Sequence, residues 1–229
     1  MGRNKKQQKF AELHELPNVY LNFGVNSPII ELPTGEKQDM RGQWKAQLGQ
    51  DKPLILELAC GKGEYSVGLG QMYPEANFMG IDLKGNRIWN GAKTALEEGL
   101  DNVFFLRAQI DFIESFFAAE EVDEIWITFA DPQVKKPRKR LTSPLFLSRY
   151  RKILKKGGKI HLKTDSPVLY EYTMEQIEEL GLPLEFAHDD IYSLAEQDPN
   201  WGITTYYEQL HRGKGATIKY ARFRLDSIR

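Results

Sequence analysis

Two glycines and a handful of acids hold positions where their chemistry depends on what surrounds them. The stretch from Leu54 to Ser66 carries an apolar run containing Glu57 into a turn with Gly61 and Gly63, then into an amphipathic segment. Glycine leaves backbone room that a Cβ would fill, and a helix starting there turns unsatisfied N–H groups toward that room. Three ligand classes compete for such a turn. A dinucleotide fingerprint wants a third glycine where Ser66 stands. The P-loop pattern is absent. An acid before the turn, and a second one, Asp82, closing the next apolar run Phe78–Asp82, suit S-adenosylmethionine (SAM) better, with Asp82 on the ribose hydroxyls. A plain strand–helix turn is the competing reading.

Further along, Phe129-Ala130-Asp131-Pro132 ends an apolar run in an acid, and Pro132 stops its continuation. Five basic residues follow within six positions: Lys135, Lys136, Arg138, Lys139 and Arg140. An acid beside a cationic tract suits a charged ligand next to a polyanion; a mobile basic connector is the bland reading. Ile160–Asp165 also ends in an acid, which can equally cap the next helix. Thr205 and Glu208 have capping-box spacing, and the same helix start could offer a hydroxyl and a carboxylate to a base. His161 alternates with apolar neighbours and reads as a satisfied sheet histidine. Four scattered histidines and one cysteine give no zinc-ligand spacing, and no G-x-S-x-G nucleophile pattern occurs.

These residues need a scaffold that brings them together, and the chain has an α/β rhythm. Strands are expected at Leu54–Ala59, Asn77–Leu83, Val103–Ala108, Asp123–Ala130 and Lys159–Thr164. Helices are expected at Glu64–Met72, Asn86–Gly99, Phe112–Ala119, Pro144–Leu154 and Val168–Leu180, with Gly99 and Gly157-Gly158 as helix stops. Alternation of this kind implies a parallel sheet covered on both faces. Leu184–Asp190 and Thr217–Leu225 would add an antiparallel hairpin. Ligands bind outside the carboxyl ends of such strands, which gathers Ala59–Gly63, Asp82, Gln109, Asp131 and Thr164-Asp165 on one rim. Residues 1–50 are expected to form an extension, with a basic tail at Arg3, Lys5, Lys6 and Lys9 and a short helix within Met40–Gly49. Residues 51–229 are expected to form the main domain.

Composition narrows the class. The 229 residues are 41% hydrophobic, enough for a sizeable core. No run approaches the ~18 apolar residues of a membrane span. One cysteine, Cys60, excludes an intrachain disulfide framework, and a cytoplasmic protein is the simplest fit. Cys60 reads as a small turn residue rather than a nucleophile. The net charge of −1 conceals blocks. Pro132–Thr164 holds twelve Lys or Arg and no acid, Asp165–His211 eleven acids and no Lys or Arg, and His211–Leu225 five cations and no acid. A basic face on a near-neutral protein points to a polyanion.

The segments Glu-Leu-Ala-Cys-Gly-Lys-Gly, Gly-Ile-Asp-Leu, Phe-Ala-Asp-Pro-x-x-Lys-Lys, Lys-Gly-Gly-x-Ile-His-x-Lys-Thr-Asp and Thr-x-Tyr-Glu resemble, in that order, the bacterial tRNA (guanine-N7)-methyltransferase family, from about Trp44 to Arg224. The resemblance implies a Rossmann-like class I methyltransferase with a mostly parallel seven-stranded sheet and an antiparallel last strand. It implies SAM as cofactor, tRNA as partner, no metal, no membrane, and a monomer or homodimer. The implied target is the variable-loop guanosine. Glu57, Gly61, Gly63, Asp82, Gln109 and Asp131 fall on cofactor positions, and Asp131 on the methyl-transfer centre. Lys135, Asp165, Thr205, Tyr206, Tyr207 and Glu208 resemble substrate positions, and Lys136, Arg138, Lys139 and Arg140 would hold phosphates. Two departures stand out. Gln133-Val134 replaces the family's Trp-Pro in a basic tract about two residues shorter, and Gln109, with Asp111 nearby, stands where the family more often has an acid. A SAM enzyme with another substrate, a non-catalytic RNA-binding module and an NAD-linked reductase are the rival expectations.

Overall fold

The computed structural model describes residues 3–24, 27–49 and 51–225. Five apolar runs become parallel strands: β4 (Leu54–Leu58), β5 (Asn77–Asp82), β6 (Val103–Arg107), β7 (Val122–Thr128) and β8 (Leu154–Thr164). They lie in the order β6-β5-β4-β7-β8, so the strand order reverses between β4 and β7. β9 (Leu184–His188) and β10 (Lys219–Arg224) form the antiparallel pair, with β10 inserted beside β8.

The sheet has ten strands rather than seven. β1 (Val19–Leu21) pairs in parallel with β6, and β2 (Ile29–Glu31) and β3 (Lys37–Asp39) continue outward as an antiparallel edge. Each is three residues long, too short to show an alternating pattern in sequence. The basic N-terminal segment lies in a helix, α1 (Arg3–Glu12). It docks on α4 (Gly85–Glu97), where Lys9 Nζ lies 3.8 Å from the Trp89 ring centre and bonds Asn90 Oδ1 at 2.7 Å. The side chains of Arg3, Lys5 and Lys6 lie outside the described residues. The helix expected within Met40–Gly49 is one turn, α2 (Trp44–Gln47). Trp44 is fully buried and donates its indole N–H to the Phe116 carbonyl at 2.8 Å.

α3 (Glu64–Met72) starts where expected. α4 ends in a Schellman turn, with Gly99 at φ 69°, Gly99 N–H bonded to Leu96 O and Leu100 N–H to Ala95 O. The segment after β6 is a kinked 3-10 helix over Ile110–Ser115 rather than the helix expected at Phe112–Ala119. α5 (Pro144–Tyr150) is shorter than expected, because Gly157 and Gly158 do not stop a helix. They lie inside β8, which starts at Leu154, and the register against β7 shifts beside them. α6 (Pro167–Glu179) and α7 (Tyr206–Arg212) complete the helices. One core gathers α5, α6 and Trp44 on one sheet face; another joins Tyr65 and Leu69 of α3 to Trp126, Trp201 and Tyr220 on the opposite face.

Candidate active site

At the reversal point both central strands end in a left-handed residue that is not glycine, Ala59 at φ 56° and Phe129 at φ 48°. Such conformations cost about 1–3 kcal/mol each and persist where the surroundings impose them. Ala59 feeds the glycine turn and Phe129 feeds Asp131. Between and beside them opens a cleft of about 410 Å3, lined by Asp82, Gln109 and Asp131 from three different strand ends and by Lys136 and Lys139 of the basic loop. A larger groove of about 550 Å3 lies beside Trp126 and His161, but it does not gather the strand-end acids.

The turn is built by the acids around it. Asp82 accepts the Gly61 N–H at 3.0 Å on one oxygen and the Lys84 N–H at 2.7 Å on the other. Each carboxylate oxygen has a further lone pair for a ligand hydroxyl. The two glycines serve different ends. A Cβ on Gly61, at φ 57°, would meet nothing within 4 Å, so that side of the turn is open. A Cβ on Gly63, at φ 71°, would sit 2.4 Å from the Phe105 ring and 3.3 Å from Gly91 Cα. Gly63 therefore lets α4 and β6 close against the turn.

Glu57, expected at a cofactor position, is enclosed. It is 3% exposed and lies beneath the turn. One oxygen accepts the Ser66 backbone N–H at 2.9 Å and the Ser66 hydroxyl at 2.5 Å; the other accepts the Thr128 hydroxyl at 2.5 Å. Gly63, at the α3 N-cap, has no side chain to satisfy the first N–H groups, and Glu57 does so from the strand. Burial pushes its carboxyl up to about 7, against the hydrogen bonds from Ser66 and Thr128. Its place is a pillar joining β4, β7 and α3. Burial likewise pushes the Cys60 thiol up, which suits a small turn residue and not a nucleophile.

Asp131 is exposed on the rim, with Oδ1 accepting the Gln133 N–H at 2.9 Å. That contact holds the acid while Gln133 turns the loop at φ 45°. The five loop cations do not act alike. Among the described residues no ion pair engages Lys135, Lys136 or Arg138, all exposed. Lys139 reaches across the cleft to Asp111 at 2.6 Å, and Arg149 stands 3.8 Å from the same carboxylate oxygen. Arg140 is 7% exposed, donates to the Pro132 carbonyl at 2.9 Å and stacks over Tyr172. It braces the loop.

α7 approaches the glycine turn directly. Glu64 of α3 accepts the Tyr206 N–H at 3.2 Å, and Lys62 Nζ lies 4.4 Å from the Tyr206 ring centre. Tyr206 and Tyr207 are 54% and 46% exposed, so neither is a core residue. Thr205 caps α7 by accepting the Glu208 N–H at 3.2 Å. Glu208 itself is fully buried and turns away from solvent. Asp165 does not cap α6, a role Ser166 takes; it pairs instead with His211 on α7. His161 is a satisfied sheet residue, bonded to Tyr220 Oη at 2.7 Å and Glu124 at 3.1 Å. Sequence reasoning saw Asp111 as a neighbour of Gln109 and missed its hold on Lys139. It also missed Lys62, Glu64 and Lys163, which carry no motif signal of their own.

A reversed-order parallel sheet, an open glycine turn beside a strand-end acid, and an antiparallel last pair define a class I, SAM-dependent methyltransferase. Solved structures share this fold: the 16S rRNA methyltransferase KamB aligns with a TM-score of 0.63 at 15% identity, covering 84% of this chain and 97% of that one. A family model described as "Putative methyltransferase" matches residues 51–221. The tRNA (guanine-N(7)-)-methyltransferase of Bacteroides thetaiotaomicron is 49% identical over 98% of this chain and 87% of its own. That of Porphyromonas gingivalis is 54% identical over 81% of this chain and 77% of its own, and that of Christiangramia forsetii 45% identical over 98% and 100%. The chain belongs to the tRNA (guanine-N(7)-)-methyltransferase family.

Proposed function

We propose that this chain transfers the methyl group of SAM to N7 of a guanine in tRNA, at the variable-loop guanosine. The observation that carries the reading is one cleft shared by Asp82, Gln109 and Asp131, with Lys136 and Lys139 on its lip. The residues fit the cofactor. The cleft lies within the ~300–1,000 Å3 of small-ligand sites, Gly61 leaves its backbone open, and Asp82 retains lone pairs for ribose hydroxyls. Gln109 stands at the adjoining strand end, where its amide can both donate and accept. When bound, SAM supplies an electrophilic methyl on a sulfonium.

Guanine N7 is a bare lone pair with no proton to lose, so no general base is needed. The histidine nearest the sheet centre, His161, is buried and doubly bonded, and burial lowers its pKa. The chain's task is placement, and holding two reactants in line contributes about 7–11 kcal/mol. The purine gains positive charge as the methyl arrives. The Asp131 carboxylate on the rim stabilises that charge more in the transition state than before it. The deep major groove of A-form RNA does not admit this cleft, so the target base leaves its stack at a cost of a few kcal/mol. Exposed Tyr206 and Tyr207 offer stacking faces, Tyr206 beside Lys62 and Glu64 at the glycine turn. Lys135, Lys136 and Arg138 hold phosphates beside it.

The test is transfer from methyl-labelled SAM to unmodified tRNA, then digestion and location of the labelled nucleoside. Label in 7-methylguanosine from the variable loop is expected. Label in another nucleoside, or none, rejects the assignment. Among the described residues no helix is long and apolar enough to cross a membrane, and no cluster of His, Cys, Asp or Glu could hold a metal.

A further inference from the structure

Lys163 has no solvent exposure, yet it is a lysine at the end of β8, one residue from the rim. Its ammonium donates at 3.0 Å to three acceptors: the Trp201 carbonyl, the Ile203 carbonyl and Glu208 Oε2. Glu208 is equally buried, and its other oxygen accepts from Tyr192 Oη at 2.6 Å. The rings of Tyr65, Phe129 and Tyr192 stand within 6 Å of the same ammonium. Every proton of Lys163 is thereby used, and neither member of the pair can touch tRNA in this arrangement.

The acceptors identify what is being held. Trp201 and Ile203 lie in the segment leading into α7, and Glu208 lies in its first turn. The main chain of Lys163 holds the other side of the site. Its carbonyl accepts the N–H of Phe129 at 2.9 Å, the left-handed residue two places before Asp131. A second tie runs parallel on the outside. Asp165, on the same side of the strand as Lys163, pairs with His211, three residues beyond Glu208 on the same face of α7.

We propose that Lys163 is a positioning residue for the tRNA side of the site: it locks the approach to α7, and so Tyr206 and Tyr207, at a set distance from the Asp131 loop. The proposal rests on the tRNA methyltransferase reading of the cleft. A buried pair contributes little net stability against an apolar replacement, whereas removing one partner strands the other charge. The neutral double variant therefore separates placement from stability.

The experiment compares wild type, Lys163→Met/Glu208→Gln and Tyr192→Phe in steady-state methyl transfer to tRNA, with SAM binding measured by calorimetry. Wild-type activity on tRNA is the control on the reading beneath; its absence would fault that reading and not this one. The double variant should unfold cooperatively, bind SAM within about twofold of wild type, and raise KM for tRNA at least tenfold. Hydrogen exchange over residues 199–210 should accelerate while that of β8 and β10 stays unchanged. Tyr192→Phe, which deletes one hydroxyl and threatens no core, should raise KM for tRNA about threefold at unchanged SAM affinity. Tyr192→Phe with wild-type KM, or a double variant that folds and has wild-type KM for tRNA, overturns the proposal. So does a double variant whose SAM affinity falls in step with its tRNA affinity.

Discussion

Replacing Glu57 by Gln separates a structural pillar from a ligand. The carboxyl is held up at about 7 by burial, against 4.5 in the open. The folded state therefore keeps a proton that the unfolded chain has lost between those two values. Stability falls where the folded state binds more protons and pH rises, so this group alone removes stability from pH 4.5 to pH 7 and leaves it flat above. The gap between the two values, at 1.36 kcal/mol per pH unit, corresponds to about 3 kcal/mol. Gln keeps the geometry: its carbonyl can accept from Ser66 and its amide can donate to Thr128 Oγ1, reversing that hydroxyl's role. Urea unfolding at pH 5 and pH 8 is the assay. The wild type should lose stability between the two pH values relative to Glu57→Gln, with the variant at least as stable at pH 8. Glu57→Ala, which leaves the buried Ser66 N–H unsatisfied, should cost about 1–3 kcal/mol at pH 5 and less at pH 8, where the wild type carries the buried charge. SAM affinity of Glu57→Gln should stay within about threefold. A Gln variant with unchanged pH dependence, or one of normal stability that has lost SAM tenfold or more, would refute the pillar.

Asp131→Ala should lower kcat by about 10²–10³, with SAM and tRNA affinities close to wild type by equilibrium binding; ordinary turnover would remove it from the reacting centre. Gly61→Ala should fold but bind SAM weakly, because its Cβ enters open space, whereas Gly63→Ala should be the less stable of the two by about 1–3 kcal/mol through its contact with Phe105; thermal melts and SAM titrations in parallel decide, and the reverse ranking contradicts the assigned roles. Lys136→Ala with Arg138→Ala should reduce the log–log salt slope of tRNA binding by about 1.4–1.8, while Arg140→Ala should chiefly lower the melting temperature; a salt slope that follows Arg140 instead would return it to the RNA face.

The class of fold was legible because long apolar runs and glycine stops are local signals. β4 to β7 and α3 lie within a residue or two of where the pattern puts them, and so do Glu57 within β4, Asp82 at the end of β5 and Asp131 in the loop after β7. What escaped was short or long-range. β1 to β3 are three residues each; β1 forms on the edge of β6, and β2 and β3 add outward from it. Gly157 and Gly158 read as a stop, yet β8 runs through them because β7 lies alongside.

Charge was the least faithful guide. Twelve cations in one block look like a single RNA face, yet Lys155 pairs with Asp123, Lys152 with Glu114, Lys159 stands near Glu185, and Lys163 is buried on Glu208. Composition along the chain set which residues could meet a polyanion. Packing decided which remain free to do so, because ion pairs form between elements that are neighbours in space and distant in sequence. The same holds for the acids: their order in the chain placed Glu57, Asp82 and Asp131 at the turn, on its neighbour and at the rim. Burial then divided them by solvent access, leaving Glu57 beneath the turn and Asp131 exposed on the rim.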